Sequence, residues 1–225
     1  MENTGFILIN KPSGITSHDV IYKLRKITSI KKIGHSGTLD PFATGLLIVG
    51  VGRQSTKQLD KFLKQDKEYI TKIKLGSISD TFDKTGQITK VENSQKPTQD
   101  EVLKVLKKYI GEINQTPPIF SAKKIKGKKM YELARKGIKI EMKPCLIIIY
   151  EIELLSYKYP YLEIKVSCSS GTYIRSLGND IGKDLNCGGY LEELHRTKIG
   201  EYSVENSNKL ENINSKKWNN LLINI

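Results

Sequence analysis

Phe6-Ile7-Leu8-Ile9 is an apolar run of strand length, and Lys11-Pro12-Ser13-Gly14 behind it reads as a turn. Val20, Ile21, Leu24 and Ile27 recur at helical spacing, so a helix capped by Ser17 is predicted to run to about Ile27. The stretch from Gly34 to Gly45, with three glycines and Pro41, reads as a loop, and Leu46 to Val51 as a buried strand. A helix is predicted over Thr56 to Lys64, and an alternating strand over Glu68 to Leu75. Gly76 to Gly86 is polar and turn-rich. Thr98 to Ile110 has an amphipathic pattern, with Thr98 and Glu101 at the spacing of a capping box.

Pro117-Pro118 breaks the chain, and a lysine run leads into a short helix predicted over Met130 to Lys136. Cys145 to Leu155 and Leu162 to Cys168 read as strands. Gly171 to Leu185 reads as a helix capped by Thr172, followed by short strands over Tyr190 to His195 and Ile199 to Val204. The last twenty residues hold seven Asn, which predicts a marginal helix around Trp218 to Leu222 or a partly ordered tail. Strands and helices mix without a regular βαβ rhythm. The fold class expected is therefore α+β, with a mixed, mostly antiparallel sheet flanked by helices.

At 225 residues the chain is long enough for a sizeable core. Its apolar runs are far shorter than the roughly 20 residues a membrane helix needs, and its first residues lack the pattern of a signal peptide. A cytoplasmic protein that does not contact membrane is the expectation. Cys145, Cys168 and Cys187 form no C-x-x-C pair and have no His at ligand spacing, so we expect buried thiols, no disulfide framework and no metal. The charge alters the picture: 37 Lys and Arg against 24 Asp and Glu give +13, and residues 121–145 alone hold nine basic residues against two acidic ones. Such clustering favours a polyanion partner, and nucleic acid is the usual one.

Four stretches could carry chemistry. In Gly34-His35-Ser36-Gly37-Thr38-Leu39-Asp40-Pro41-Phe42-Ala43-Thr44-Gly45 the proline holds Asp40 extended, and a carboxylate on a stiffened loop suits a nucleophile or base. An Asp-Pro pair is equally a common turn initiator. In Ser169-Ser170-Gly171-Thr172-Tyr173-Ile174-Arg175 the arginine falls at the third position of the expected helix. A cation there opposes the helix dipole by roughly 0.3–1 kcal/mol unless a carboxylate or phosphate is near. In Lys67-Glu68-Tyr69 the tyrosine reads as core packing, or as a site residue if it faces Asp40. In Pro117 to Arg135, Phe120 and Tyr131 are interleaved with basic residues, a pattern suited to RNA phosphates and bases or to a solvated face. No P-loop, dinucleotide fingerprint or H-E-x-x-H is present.

These stretches, with Leu8 to Gly14 and Leu194 to Gly200, occur in the order found in the TruB family of tRNA pseudouridine synthases, and the chain resembles that family over nearly all of residues 6–204. The resemblance implies a pseudouridine synthase fold with a central catalytic cleft, and cofactor-free isomerisation of the T-loop uridine at tRNA position 55. Asp40 matches the catalytic aspartate, which attacks ribose C1′ or removes a C2′ proton. Tyr69 matches the tyrosine that stacks on uracil and takes the C5 proton, and Arg175 the arginine paired with the aspartate. Tyr173 and Leu194 match residues lining the nucleoside pocket. His35 matches the histidine that occupies the place of the extruded uridine, and Lys11 with Pro12 a motif that supports the pocket.

The implied partner is tRNA, bound by a monomer that uses no metal and no cofactor. Phe120 stands where Tyr is usual, and His195 where Arg is common. The implied organisation is a catalytic domain over 1–205 and a short tail over 206–225 with no complete PUA domain. A non-catalytic tRNA-binding or tRNA-folding module on the same fold is the alternative, as is, more remotely, an N-glycosidase releasing free base.

Overall fold

The structure is a computed structural model that describes residues 4–92, 94–119 and 142–223, together with two-residue strands at 124–125 and 128–129. It divides into two compact units, Met1–Tyr69 with Leu194–Ile225, and Ile70–Glu193. In chain order the first unit contains β1 (Gly5–Lys11), α1 (Ser17–Thr28), β2 (Ile33–Ser36), β3 (Thr44–Val51), α2 (Gly52–Thr56), α3 (Asp60–Leu63) and the start of β4 (Lys67–Leu75). The second adds β5 (Ser77–Ser79), β6 (Ile88–Lys90), α4 (Gln99–Lys107), β7 (Gly111–Gln115), β8 (Lys124–Ile125), β9 (Lys128–Lys129), β10 (Cys145–Lys158), β11 (Tyr161–Cys168) and α5 (Ile174–Asp184). The chain returns to the first unit along β12 (Gly189–Ile199), and ends with β13 (Tyr202–Ser203), β14 (Asn208–Lys209) and short 3-10 turns.

In the first unit the strand order is β14-β1-β3-β12, with β2 also on β3 and β13 on β12. β1 and β3 pair antiparallel over their whole length, from Gly5 opposite Val51 to Lys11 opposite Gly45. Both read as continuous apolar runs because both of their faces are covered. Ile7, Ile9, Leu47 and Val49 pack with Val20, Ile21 and Leu24 of α1, while Phe6, Leu8, Leu46 and Ile48 pack with Leu59, Phe62 and Ile199 on the other side. A fully buried aliphatic side chain contributes roughly 1.5–3 kcal/mol, so this layer is the main anchor for the loop between β2 and β3.

The C-terminal residues belong to that core. Leu210, Ile213 and Trp218 are buried in it, β14 pairs parallel to β1, and Phe6 bridges Ile223. The marginal helix expected near Trp218 is a 3-10 turn over Trp218–Leu221.

In the second unit β12, β4, β11, β10 and β7 lie side by side, with β10 antiparallel to both β11 and β7. β4 alternates buried and half-buried residues, as its sequence predicts. α4 carries the expected capping box, with Thr98 accepting from the Glu101 amide and Glu101 from the Thr98 amide. The sheet is large, mixed and mostly antiparallel, with helices flanking it, which is the α+β architecture expected.

Several boundaries differ from expectation for local reasons. Thr16, not Ser17, caps α1, because Asp19 stands three residues on and closes a capping box. The helix expected over 56–64 is two short ones, beginning at Gly52. The glycine-rich loop starts later, since Ile33–Ser36 pairs with β3, and the two strands expected over 190–204 are β12 and the two residues of β13. α5 begins only at Ile174, after Tyr173 as cap, because the Thr172 hydroxyl turns back to the Ser169 carbonyl at 2.9 Å. Cys168 and Cys187 are buried, but Cys145, at the start of β10, is only half-buried. The helix expected over Met130 to Lys136, Phe120, and most of the basic run over 121–145 lie outside the described residues. Among the described residues no helix is long and apolar enough to cross a membrane, and no cluster of His, Cys, Asp or Glu could hold a metal ion.

Candidate active site

Asp40 occupies the first position of a tight turn in the first unit: its carbonyl accepts from the Ala43 amide at 3.1 Å, and Pro41 takes the second position, where its fixed φ fits. The segment after β1 straps this turn from one side. The Gly14 amide donates to the Pro41 carbonyl (2.8 Å) and the Ser13 hydroxyl to the Phe42 carbonyl (2.9 Å). Ser17, released from capping, both accepts from the Leu39 amide (2.9 Å) and donates to the Leu39 carbonyl (3.1 Å).

Lys11 runs under the turn with no exposed surface. Its ammonium spends its three protons on the carbonyls of Pro12 (2.9 Å), Ile15 (2.8 Å) and Pro41 (3.3 Å). Burial pulls its pKa down to about 8, against the attraction of the Asp40 carboxylate. It therefore remains mostly charged at neutral pH, a cation held beneath the aspartate loop.

The other side of the loop is stapled by Arg196, which is 2% exposed. Its Nε donates to the Leu46 carbonyl (2.8 Å) and its Nη2 to the Gly37 carbonyl (3.1 Å), so one side chain ties both ends of the loop to β12. Here β3 and β12 run parallel with Gly45 opposite Arg196, so closely that a Cβ on Gly45 would sit 2.3 Å from the Arg196 carbonyl oxygen. Leu194 is buried next to this pairing, and the neighbouring His195 takes Nδ1 to within 2.8 Å of the Thr44 hydroxyl. Tyr69, 8% exposed, lies on the buried face of β4. His35 lies on β2 with its pKa lowered to about 4, chiefly by burial and further by the charge of Arg196, so it is neutral at pH 7.

Tyr173 and Arg175 belong to the second unit. Gln115, at the end of β7, clamps the backbone of Tyr173 in both directions: its Oε1 accepts from the Tyr173 amide (2.8 Å) and its Nε2 donates to the Tyr173 carbonyl (3.0 Å). Arg175 is the second residue of α5 and is buried, with Nη1 3.1 Å from Asp83 Oδ2 and 3.0 Å from the Thr81 carbonyl. Asp83 thus supplies the carboxylate that a cation at a helix N-terminus requires. Its other oxygen accepts from the Thr81 hydroxyl (2.9 Å), the Thr85 amide (2.9 Å) and the Thr85 hydroxyl (2.5 Å). Phe82 beside it adopts φ +63°, a costly conformation for a bulky residue that marks this turn as held by its surroundings.

Five of the seven expected site residues, Lys11, His35, Asp40, Tyr69 and Leu194, therefore fall in the first unit, and Tyr173 and Arg175 in the second. Sequence reasoning missed Ser17 as a loop clamp, Arg196 as a staple, Gln115 as a backbone clamp and Asp83 as a partner of Arg175. For Asp83 a signal exists: Ser79, Thr81 and Thr85 place hydroxyls at alternate positions around one carboxylate.

Comparison with known proteins decides the family. A family model described as the N-terminal domain of TruB family pseudouridylate synthases matches residues 25–174, and one described as the C-terminal domain of tRNA pseudouridylate synthase B matches residues 175–221. The chain belongs to the TruB family. TruB enzymes are isomerases that convert uridine in tRNA to pseudouridine.

The tRNA pseudouridine synthase B of Clostridium tetani is 49% identical over 219 residues, covering 97% of this chain and 75% of that protein. Its counterpart in Protochlamydia amoebophila is 50% identical over 202 residues, covering 90% and 76%. Among solved structures, a Cbf5-Nop10-Gar1 complex matches with a TM-score of 0.71 and 29% identity over 92% of this chain. An H/ACA RNP bound to a substrate RNA containing 2′-deoxyuridine matches with a TM-score of 0.69 and 28% identity over 93%. This chain spans 52% of the matched chain in each of those assemblies. The fold shared is that of the pseudouridine synthases.

Proposed function

We propose that the chain isomerises the T-loop uridine of tRNA, at position 55, with Asp40 as the group that acts on the ribose. Attack at C1′ or removal of a C2′ proton breaks the C1′–N1 bond. The freed uracil turns and rejoins through C5, whose proton leaves while N1 gains one, so the product has the formula of the substrate. The isomerisation involves no net oxidation or reduction, and the chemistry calls for a carboxylate acting as nucleophile or base together with acid–base and binding groups.

The observation that carries this reading is the mounting of Asp40. A turn tied by Ser13, Gly14 and Ser17, underlain by the Lys11 ammonium and stapled by Arg196, fixes the backbone that carries the Asp40 carboxylate before substrate arrives. Such preorganisation is what a catalytic group needs and a general RNA-binding surface does not. Extruding a base from a folded loop costs a few kcal/mol, and stacking on aromatic side chains returns about 1–3 kcal/mol per base. We assign Tyr69, Tyr173 and Leu194 to that pocket, with Tyr69 receiving the C5 proton. His35, uncharged and flat, suits the gap the uridine leaves. We also assign Arg175, which Asp83 holds, as the cation that serves the carboxylate.

The test is Asp40→Asn with tRNA carrying C5-tritiated uridine. Tritium release should disappear while tRNA binding stays near the wild-type value. Release at the wild-type rate removes Asp40 from the chemistry. Wild-type protein that binds tRNA and leaves its uridine unchanged would instead be a binding or folding module.

A further inference from the structure

Between Asp19 and Asp40 the chain carries Lys23, Arg25, Lys26, Lys31 and Lys32 and no acidic residue. The fold gathers part of this charge in the first unit. A cleft of about 560 Å3 lies between the end of α1, the start of β2 and α2, lined by Arg25, Lys31, Lys32, Gly34, His35 and Thr56 among others, and no carboxylate is among its lining residues.

The polar groups of the cleft are incompletely used. Arg25 spends Nη2 on the Ile33 carbonyl at 3.2 Å, but its Nε is buried without a hydrogen bond, as is Nδ1 of His35. Only four buried side-chain atoms among the described residues share that condition, and two of the four belong to residues lining this cleft. A buried polar atom left without a partner costs about 1–3 kcal/mol, so two in one basic cleft point to a ligand that supplies the missing partners.

That ligand must be an anion rich in acceptors. A guanidinium and two ammonium groups with no opposing carboxylate match a phosphodiester, whose oxygens accept and carry the charge. We propose that this cleft binds a backbone phosphate of the RNA substrate, adjoining the place where His35 meets the RNA loop. The proposal rests on the reading of the chain as a tRNA-modifying enzyme, and it assigns Arg25, Lys31 and Lys32 a role that the resemblance does not.

Lys31 and Lys32 are exposed at the mouth of the cleft, so Lys31→Ala/Lys32→Ala removes two charges without touching the core. Binding of an unmodified tRNA transcript is measured from about 50 to 300 mM salt. Each phosphate contact contributes a slope of roughly 0.7–0.9 in log K against log salt, so the double variant, which loses two of the cations on that one phosphate, should show a slope shallower by about 0.7–0.9 and at least about fivefold weaker binding near 100 mM. Lys216→Ala/Lys217→Ala, the same charge change on an exposed turn elsewhere in the unit, should leave the slope unaltered.

A wild-type slope in the first variant, or an equal change in both, overturns the phosphate site. Pseudouridine in the same tRNA, measured with wild-type protein, separates the two proposals. A shifted slope with no pseudouridine formed leaves the cleft standing and removes the catalytic reading. Pseudouridine formed with unshifted slopes does the reverse.

Discussion

Asp83→Asn removes a single charge from the pair with Arg175 and almost nothing else. The two side chains are 4% and 7% exposed, and the separation is 3.1 Å. Asparagine has the same shape, and its carbonyl oxygen can still accept from the Thr81 and Thr85 groups that now bind Oδ1. What changes is Oδ2, which becomes an amide nitrogen presenting protons to the protons of Nη1. Breaking one side of a buried ion pair costs roughly 3–5 kcal/mol, because the remaining charge keeps its desolvation penalty. Nη1 retains the Thr81 carbonyl at 3.0 Å, which places the expected loss at the lower end, about 3 kcal/mol. For a chain of this size each kcal/mol moves the melting temperature by about 2–4 °C, so a fall of roughly 6–12 °C is expected by calorimetry. A cycle with Arg175→Met isolates the pair: the double variant should be more stable than the sum of single losses implies by at least about 1 kcal/mol. A fall below about 2 °C, or strict additivity in the cycle, would refute the claim that the carboxylate of Asp83 holds Arg175.

The parts of this protein legible in its sequence are those in which neighbours along the chain also decide the structure. β1, β3 and β4 follow from apolar run length and alternation, and α4 from its spacing and its Thr98–Glu101 box. The cap of α1 was legible too, since Thr16 has an acidic residue three positions on while Ser17 has Val20. Interactions between distant segments are another matter. Arg175 and Asp83 are separated by 92 residues, and Gln115 and Tyr173 by 58, so neither pairing follows from local pattern. A lysine is ordinarily an exposed residue, and nothing near Lys11 in sequence says that its stem passes beneath Pro41. The asparagine-rich C-terminus looks loose by composition. Leu210, Ile213 and Trp218 nonetheless recur often enough to fasten it to the core, and hydrophobic anchoring outweighs the polar residues between them. Asp40, His35 and Tyr69 stand out in the sequence because family motifs are local, whereas the side chains that hold the Asp40 turn reach it from two separate segments, residues 11–17 and β12.

Gly45 has φ +104°, and a Cβ there would collide with the β12 backbone, so Gly45→Ala should cost at least about 3 kcal/mol in denaturant unfolding or prevent soluble expression. Wild-type stability in Gly45→Ala would mean that β3 and β12 are not so closely apposed. Gln115→Ala removes both hydrogen bonds to the Tyr173 backbone and leaves buried groups without partners, with an expected loss of about 1–3 kcal/mol and a raised KM for tRNA; an unchanged KM would separate this clamp from substrate binding. The pH dependence of stability tests His35. Its pKa is about 4 in the folded protein, against the ordinary 6.5. Above 6.5 the imidazole is neutral in both states and contributes nothing to the slope. As pH falls from 6.5 towards 4 the unfolded chain takes up a proton that the folded one refuses, so stability is lost across that window. One proton sets the limit at about 1.4 kcal/mol per pH unit. In His35→Gln that loss should vanish while the contribution of His195, also lowered by burial, persists, so the difference between the two stability profiles belongs to His35. Parallel profiles between pH 4 and 6.5 would mean that the imidazole is hydrated and protonates as readily in the folded protein as in the unfolded chain, and the uncharged ring assigned to the RNA loop would then be an imidazolium at mildly acidic pH.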